Sequence, residues 1–200
     1  HGLKLRDRLV AFLPRYASFA ARFSGLMNLR DTVPGLAALS EKLLGFSARR
    51  TLPVWRRDIF HSETPAVGPV DGPEVVFLVD TFNRYFEPEN ARAAVNVLVA
   101  AGYRVHLPAA TSGDRPLCCG RTFLAAGLID EAKAEAARAL EALAPFAARG
   151  VPVVGLEPSC LFTFRNEMTA MLPGDAAEKL SDRAMLFEEF IAAERDAGRL

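Results

Sequence analysis

Cysteine is scarce in this sequence, with three residues among 200, and long apolar runs are missing. Two of the three cysteines are adjacent, whereas the disulfide framework of a secreted domain uses an even number at spaced positions. No apolar run reaches the roughly 18–20 residues of a membrane-spanning helix. Charges recur through the apolar positions of the N-terminus, which does not fit the order of a secretory signal. We therefore expect a cytoplasmic protein without a membrane-spanning segment.

The chain also has no net charge, because its 24 basic side chains balance its 24 acidic ones. A balanced chain gives no electrostatic reason to expect a nucleic-acid partner. The charge is unevenly spread, since residues 1–60 hold eleven Lys and Arg against four Asp and Glu. The sequence also lacks a glycine loop for phosphate, a paired-carboxylate arrangement and a Ser/His/Asp order. These absences leave the cysteines as the main candidates for chemistry.

The pattern of helix breakers and apolar residues divides the chain into three segments. Residues 1–60 are predicted to form a basic arm of short helices, because apolar residues recur there at helical spacing between prolines and glycines. Residues 61–73 are rich in Pro and Gly and are predicted to be a linker. Residues 74–200 are predicted to form an α/β domain. The apolar stripes of the arm need a cover, which a second copy of the chain supplies if the protein is a homo-oligomer.

Within residues 74–200, short runs of Val, Phe and Leu alternate with longer amphipathic segments. Buried strands are predicted at 75–79, 103–107 and 151–156. Helices are predicted from Pro88 to Gly102, from Asp130 to Arg149, from Ser159 to about Leu172 and from Asp175 through Glu194. This alternation predicts right-handed βαβ crossovers, and hence a three-layer α/β domain with a small parallel sheet.

Polar and sulfur-bearing residues follow the carboxyl end of each predicted strand. The three segments are Asp80-Thr81-Phe82-Asn83, Cys118-Cys119-Gly120 and Glu157-Pro158-Ser159-Cys160. Ligand sites in open parallel sheets lie beyond the carboxyl ends of the strands. We therefore expect all three cysteines to lie together at one edge of the sheet.

Features of the neighbouring sequence favour reactive thiols. Cys160 falls in the first turn of a helix capped by Ser159, where free amide groups favour the thiolate. Arg121 adds a cation after the cysteine pair, and Gly120 leaves room for sulfide or a bulky ligand. Thiolates are the ligands of soft metals and iron–sulfur clusters. The alternative is that the cysteines fill the core as small apolar side chains.

Other polar residues are weaker candidates. Asp80 and Asn83 either face the site or serve in turn chemistry and helix capping. His106 is predicted to be a satisfied or surface histidine rather than a ligand. Residues 165–167 are predicted to lie on a solvated helix face.

The stretch LCCGRTFLAAGLIDEA, followed by VPVVGLEPSC, resembles one repeat of the cysteine-rich CCG domain. That domain occurs in B-type subunits of heterodisulfide reductase and in iron–sulfur subunits of glycolate oxidase and anaerobic glycerol-3-phosphate dehydrogenase. The nearest resemblance is to the C-terminal region of FAD-linked D-lactate-dehydrogenase-like oxidoreductases. The segment EKLLGFSARRTLPVW resembles the helical connector that precedes the CCG domain in those proteins.

The resemblance implies that Cys118, Cys119 and Cys160 are ligands of an iron–sulfur cluster of the 4Fe-4S type in the intact protein. The family motif has two more cysteines, and Thr81 and Thr163 stand at their positions. Three thiols do not complete a four-iron site. The resemblance also implies a second repeat after this one, FAD on a separate domain, and flavin and ferredoxin-like domains of the same parent protein as partners. The expected location is the cytoplasm, at most peripheral to the inner membrane.

Four functional hypotheses remain open at this point. The first is an electron-transfer module of an FAD-linked oxidase acting on a 2-hydroxy acid such as lactate or glycolate. The second is a metal-free thiol/disulfide reductase site, and the third is a docking domain with vestigial cysteines. A structural zinc site with three thiolates and one other ligand is the fourth. The isolated chain is not expected to be catalytically active under the first hypothesis.

Overall fold

The computed structural model of the protein describes residues 2–61, 64–111 and 113–200. The strands are Ala66–Val67 (β1), Glu74–Leu78 (β2), Arg104–His106 (β3), Val153–Gly155 (β4) and Ala184–Leu186 (β5). They form one sheet in the order β1-β3-β2-β4-β5. β2 pairs in parallel with β3 and with β4, and β4 pairs in parallel with β5, whereas β1 runs antiparallel to β3 at one edge. The predicted α/β fold with a small, mostly parallel sheet is confirmed.

Helices surround this sheet. In the arm they are Leu5–Ala11 (α1), Leu13–Arg22 (α2), Ser24–Met27 (α3), Leu29–Thr32 (α4) and Leu36–Leu44 (α5). Beyond the arm they are Thr81–Tyr85 (α6), Pro88–Ala100 (α7), Arg121–Ala125 (α8), Ile129–Ala148 (α9), Pro158–Phe162 (α10), Met168–Met171 (α11), Asp175–Arg183 (α12) and Phe187–Asp196 (α13), with a π-helical turn at Thr163–Glu167. None of the helices in the described ranges is long and apolar enough to cross a bilayer.

β2 is buried on both faces and contributes to two separate cores. Val76 and Leu78 pack into one core cluster, whereas Val75 and Phe77 pack into the other. Successive side chains of a strand point to opposite faces of the sheet, so the alternation follows from the pleat. A strand of this kind has a continuous apolar sequence, which is why the pattern of residues 75–79 predicts it.

Helices on the two faces complete the three layers. One core cluster joins β2 and β4 to Leu143 of α9 and Leu180 of α12. The other joins the same strands to Leu98 of α7 and Phe190 of α13. All four of these helix side chains are buried. Fully burying an apolar side chain of this size contributes about 1.5–3 kcal/mol, so these two clusters supply the main stabilisation of the fold.

The arm packs on the α/β body through α2 and through residues 45–60, which we term the connector. Ala17 and Ala21 of α2 lie in an apolar cluster with Trp55, Tyr85 and Phe86. The rings of Trp55 and Phe86 have centroids 4.6 Å apart. Small residues on the inner face of α2 therefore let the helix approach the aromatic side chains of α6 and the connector.

A buried ionic network ties the arm to α9. The side chain of Glu135 is fully buried, and its Oε1 accepts hydrogen bonds from Arg15 Nε at 3.1 Å and Arg115 Nη1 at 2.5 Å. Its Oε2 accepts one from Arg138 Nη1 at 2.9 Å. Desolvation opposes ionisation, but the three guanidinium groups outweigh it and hold the pKa of Glu135 below its ordinary value.

Three local predictions differ from the structure. The helix expected to run through Glu194 is interrupted by β5, which pairs with β4. The helix expected from Ser159 to Leu172 contains the π-helical turn, and its N-cap is Glu157 rather than Ser159. The predicted linker, residues 61–73, contains β1. β1 and β5 span two and three residues, which is too short for a periodic pattern to show.

Replacing Glu135 with Gln is expected to lower the free energy of unfolding by about 2–3 kcal/mol, measured by urea denaturation. Removing one partner of a buried ionic network leaves uncompensated charges. The expected loss is smaller than for a fully buried network because the three arginines are partly exposed to solvent. Glu141→Gln is the matched control, because this side chain lies on the same helix but is exposed. Equal stability of the two variants would refute the stabilising role of the network.

Candidate thiol centre

The three segments predicted to carry the chemistry lie at the carboxyl edge of the sheet. Asp80 follows β2 and caps α6, and Pro158 opens α10 shortly after β4. The cysteine pair ends the long segment after β3 and immediately precedes Gly120, the N-cap residue of α8. Because β2, β3 and β4 are parallel, their carboxyl ends point the same way and the following segments meet at one edge.

The structure brings the thiols of Cys119 and Cys160 into contact, with Cys118 beside them in the sequence. Cys119 and Cys160 lie in the same core cluster with Sγ atoms 3.0 Å apart, and the Cys119 thiol donates to the Cys160 sulfur. Cys118 also interacts with Cys119. All three residues are at most 9% exposed. The result is a hydrogen-bonded pair of thiols with a third thiol next to it, closed off from solvent.

Backbone amides at the start of α8 point at the cysteine pair. The amide of Gly120 donates to Cys118 Sγ at 3.4 Å, and the amide of Arg121 donates to the Cys119 sulfur. Gly120 has φ +86, a left-handed conformation, and a Cβ there would meet the carbonyl oxygen of Ala132 at 2.6 Å. The structure therefore explains the glycine at position 120 by its backbone conformation and by its close contact with Ala132, and not by space for a ligand. The glycine allows α8 to pack against α9.

The thiols of the folded chain are protonated at neutral pH, contrary to the expectation of a thiolate at Cys160. For Cys118, donation to Cys119 and burial raise the pKa well above its ordinary value. The pKa of Cys119 is lowered by the bond from Cys118, but donation to Cys160 and burial outweigh it and raise it well above normal. For Cys160, the bond from Cys119 lowers the pKa, but burial and the charges of Asp80 and Glu157 leave it raised.

Asp80 and Asn83 serve the local backbone. Asp80 Oδ1 accepts from the amides of Phe82 at 2.8 Å and Asn83 at 3.0 Å, and its Oδ2 accepts from Asn83 Nδ2 at 2.6 Å. These bonds are a helix N-cap, the second of the two roles predicted for these residues. Burial raises the pKa of Asp80 in spite of these donors. Thr81 opens α6 and is half-buried.

Around Cys160, hydroxyl groups are already engaged. Ser159 Oγ donates to Glu157 Oε1 at 2.7 Å, so it supports the N-cap residue instead of being it. Thr163 is fully buried, and its Oγ1 donates to the carbonyl oxygen of Ser159 at 2.7 Å. Thr163 also begins the π-helical turn. Such turns inside α-helices occur frequently at functional sites.

Arg121 is paired with Glu167, a residue that the sequence pattern assigned to a solvated face. The Nη1 of Arg121 lies 2.5 Å from Glu167 Oε1, and Glu167 Oε2 is buried without a hydrogen-bond partner in the described chain. The cation after the cysteine pair is therefore largely neutralised by a carboxylate from the π-helical turn. His106 pairs with Glu74 through Nε2 and Oε1 at 3.0 Å, as expected of a satisfied histidine.

The donor set does not match what a four-iron cluster needs. Three thiols are ligands of the right type, but such a cluster takes four. Thr81 and Thr163, which stand where the resemblance would place further cysteines, have hydroxyls in place of thiols. In the described ranges, no group of three or more His, Cys, Asp or Glu side chains is arranged to hold a metal ion. These residues by themselves therefore do not fit a complete cluster.

The chain is similar to two curated proteins that are named as a subunit of anaerobic glycerol-3-phosphate dehydrogenase, from Escherichia coli strain K12 and Escherichia coli O157:H7. Each is 24% identical over 199 residues, which cover 98% of this chain and 49% of the relative. The chain thus spans about half the length of the curated relatives it matches. No protein-family model matches the chain, and no solved structure does.

The raised thiol pKa values predict that the protein loses stability at alkaline pH. Each thiol stabilises the fold fully below the ordinary cysteine pKa of about 8.5, and that stabilisation is lost as pH rises through the higher folded-state pKa. Between about pH 8.5 and 10, each thiol contributes a negative slope of up to about 1.4 kcal/mol per pH unit to the free energy of unfolding. The slope is measured by urea denaturation across this range under reducing conditions. A variant with Ala at positions 118, 119 and 160 is the control, and a slope as steep as that of the wild type would show that the thiols do not cause it.

Proposed function

We propose that the chain is the electron-transfer portion of a flavin-linked dehydrogenase and that its three cysteines are the redox centre. The observation that carries this proposal is the hydrogen-bonded pair of thiols, with Cys119 and Cys160 sulfurs 3.0 Å apart at the carboxyl edge of the sheet. The similarity to a dehydrogenase component extends over 98% of the chain and supports the same class of role.

The thiols are proposed to be ligands of an iron–sulfur cluster whose remaining ligand comes from outside these 200 residues. The cluster supplies one-electron redox chemistry when bound. The chain's own residues position three sulfurs, exclude water through burial, and aim the amides of Gly120 and Arg121 at them. Amide donors near sulfur are one of the factors that set the potential of such centres. Binding metal requires loss of the thiol protons, so uptake is favoured by higher pH.

The substrate is oxidised elsewhere under this proposal, on a separate FAD domain. The family resemblance favours a 2-hydroxy acid such as lactate or glycolate, whereas the name of the curated relatives points to glycerol 3-phosphate. All of these are small hydroxyl-bearing anions. In the intact protein, electrons from the flavin would pass through ferredoxin-like clusters to the thiol centre.

Partners and location form a further part of the proposal. Phe19, Leu26 and Leu43 of the arm are between 64% and 70% exposed, and so large an apolar surface favours a protein partner. We assign this surface to the flavin and ferredoxin-like domains of the parent protein, with a second copy of the chain as the alternative. The proposed location is the cytoplasm or the periphery of the inner membrane.

A metal-free thiol/disulfide site is the second candidate, and one observation favours it. The 3.0 Å between Cys119 and Cys160 sulfurs is close enough for a disulfide to form after a small movement. The raised pKa values of the thiols oppose it, because the thiolate is the nucleophile of disulfide exchange.

The docking hypothesis needs no chemistry at all and predicts that neither metal nor oxidant acts on these residues.

Thr163→Cys is expected to increase the iron bound per chain after anaerobic reconstitution with iron and sulfide. The substitution adds a fourth thiol one helical turn after Cys160, at a fully buried position where the two side chains are of similar size. Bound iron, acid-labile sulfide and the EPR spectrum after reduction are measured. Thr32→Cys is the matched control, because Thr32 is exposed in the arm.

The outcomes separate the three hypotheses. Increased iron and a cluster EPR signal in Thr163→Cys, absent from Thr32→Cys, support the cluster-ligand role. No iron in any variant, together with a reversible Cys119–Cys160 disulfide in a glutathione redox buffer, supports the metal-free site and overturns the cluster. If neither iron nor a disulfide is found, both redox hypotheses are overturned, and docking or a structural zinc site is left.

A further inference from the structure

A cleft of about 780 Å³ opens beside the carboxyl ends of β2 and β3. Its walls come from α2, the connector, α6 and the segments that follow these two strands. A volume in the range of about 300–1,000 Å³ is typical of small-molecule sites, and this position in an open α/β sheet is where such ligands bind. The thiol centre does not line the cleft, so any ligand there belongs to a separate site.

The walls of the cleft are mainly apolar. The apolar lining includes Phe60, Phe77, Val79, Leu107 and Pro108. Leu78 and Leu117 also line it, and both pack in the core cluster that holds Cys119 and Cys160. An apolar ligand body is therefore accommodated by the walls, next to but not within the thiol centre.

The charges on the cleft are predominantly positive. Four arginines line it, namely Arg22, Arg57, Arg84 and Arg115, whereas Asp114 is the one carboxylate among the described lining residues. Arg115 is already paired with the buried Glu135. The other three have no ion pair with a carboxylate in the described parts of the chain, so the cleft has an excess of unpaired positive charge.

Arg84 is the most informative of these cations. Its Nη1 donates to the carbonyl oxygen of Phe60 at 3.0 Å, but its Nε is buried without a hydrogen-bond partner in the described ranges. Asp80, the carboxylate that acts on it electrostatically, forms no ion pair with it and already accepts three hydrogen bonds at the start of α6. Burial lowers the pKa of Arg84, although the charges of Tyr85 and Asp80 oppose this shift. A buried cation is normally paired, and an anion in the cleft would provide the missing partner.

We propose that this cleft binds an organic anion with an apolar body and a compact oxyanion head, either a carboxylate or a phosphate ester. The planar guanidinium of Arg84 matches the geometry of both head groups. Arg57 and Arg22, both exposed at the cleft, add attraction for the incoming charge. The apolar walls contact the body of the ligand. This site goes beyond the proposed electron-transfer role and does not depend on the cysteines.

The test is isothermal titration calorimetry of the folded, reduced chain with four probes. Benzoate and phenyl phosphate carry an apolar ring with each head group, benzyl alcohol keeps the ring without the charge, and inorganic phosphate keeps the charge without the ring. Both aromatic anions, or the one with the matching head, are expected to bind at least about tenfold more tightly than benzyl alcohol and inorganic phosphate. The comparison of benzoate with phenyl phosphate identifies the head group.

Variants locate the site. Arg84→Gln and Arg57→Gln are each expected to weaken binding of the aromatic anion about tenfold. Arg104→Gln, at the opposite end of β3 and outside the cleft, is the matched control and is expected to leave affinity unchanged. Arg57 is exposed, so its variant keeps the test valid even if Arg84→Gln fails to fold. Cys160→Ser is expected to bind the anion normally, which separates this result from the fate of the thiol centre.

Four results would overturn the proposal. The first three are no binding of either aromatic anion, equal affinity of benzyl alcohol and the tighter-binding aromatic anion, or unchanged affinity in both Arg57→Gln and a folded Arg84→Gln. Equal affinity for inorganic phosphate and phenyl phosphate would remove the role of the apolar walls and overturn it in its stated form.

Discussion

The parallel pairing of β2 with β3 and with β4 is the constraint on which the candidate centre depends. Val76 lies opposite His106 on one side and Val153 on the other, so the three strands end at the same edge. The segments that follow them contain Asp80, the cysteine pair and Cys160, which are up to 80 positions apart in the sequence. An antiparallel β4 would place Cys160 at the opposite edge, and no local adjustment of loops would restore the contact with Cys119.

Burial keeps the thiols of the candidate centre protonated. The Cys119 thiol donates to the Cys160 sulfur and Cys118 interacts with Cys119, and this arrangement is stable only while the protons remain. The negative charges of Asp80 and Glu157 near Cys160 oppose further negative charge. A metal would reverse this balance, because a bound cation favours the thiolate that burial disfavours. The folded chain therefore has a protonated centre, and binding of a metal would require its deprotonation.

Much of this architecture could be predicted from the sequence, and the exceptions have physical causes. β2 is evident because five consecutive residues at 75–79 are apolar. β1 and β5 are not, because Ala66–Val67 and Ala184–Leu186 are too short for a pattern and depend on pairing with β3 and β4. Convergence of the cysteine segments follows from strand order alone. Their protonation does not, because it depends on burial and on which thiol donates to which.

The buried charged residues could not be predicted from the sequence either. Glu135 and its neighbours in α9 have the composition of a solvated helix, yet this carboxylate is fully buried. It pairs with Arg138 of the same helix and with two arginines from other segments, Arg15 and Arg115. Glu167, whose side chain is 35% exposed, also pairs with a residue of another segment, Arg121. Arg84 gives no signal in the sequence, because the feature that marks it is the lack of a partner in the described parts of the folded chain. Long-range pairing of charges cannot be inferred from local periodicity.

The three cysteines are proposed to belong to one redox centre in the working protein, and this claim can be tested directly. The measurement is the Mössbauer spectrum of the holoenzyme, purified anaerobically from cells grown on isotopically enriched iron, for the wild type and Cys160→Ser. We expect the substitution to remove or alter the signal of one whole cluster and to leave the others unchanged. An identical spectrum in the folded variant would show that Cys160 is not a ligand and would contradict the claim.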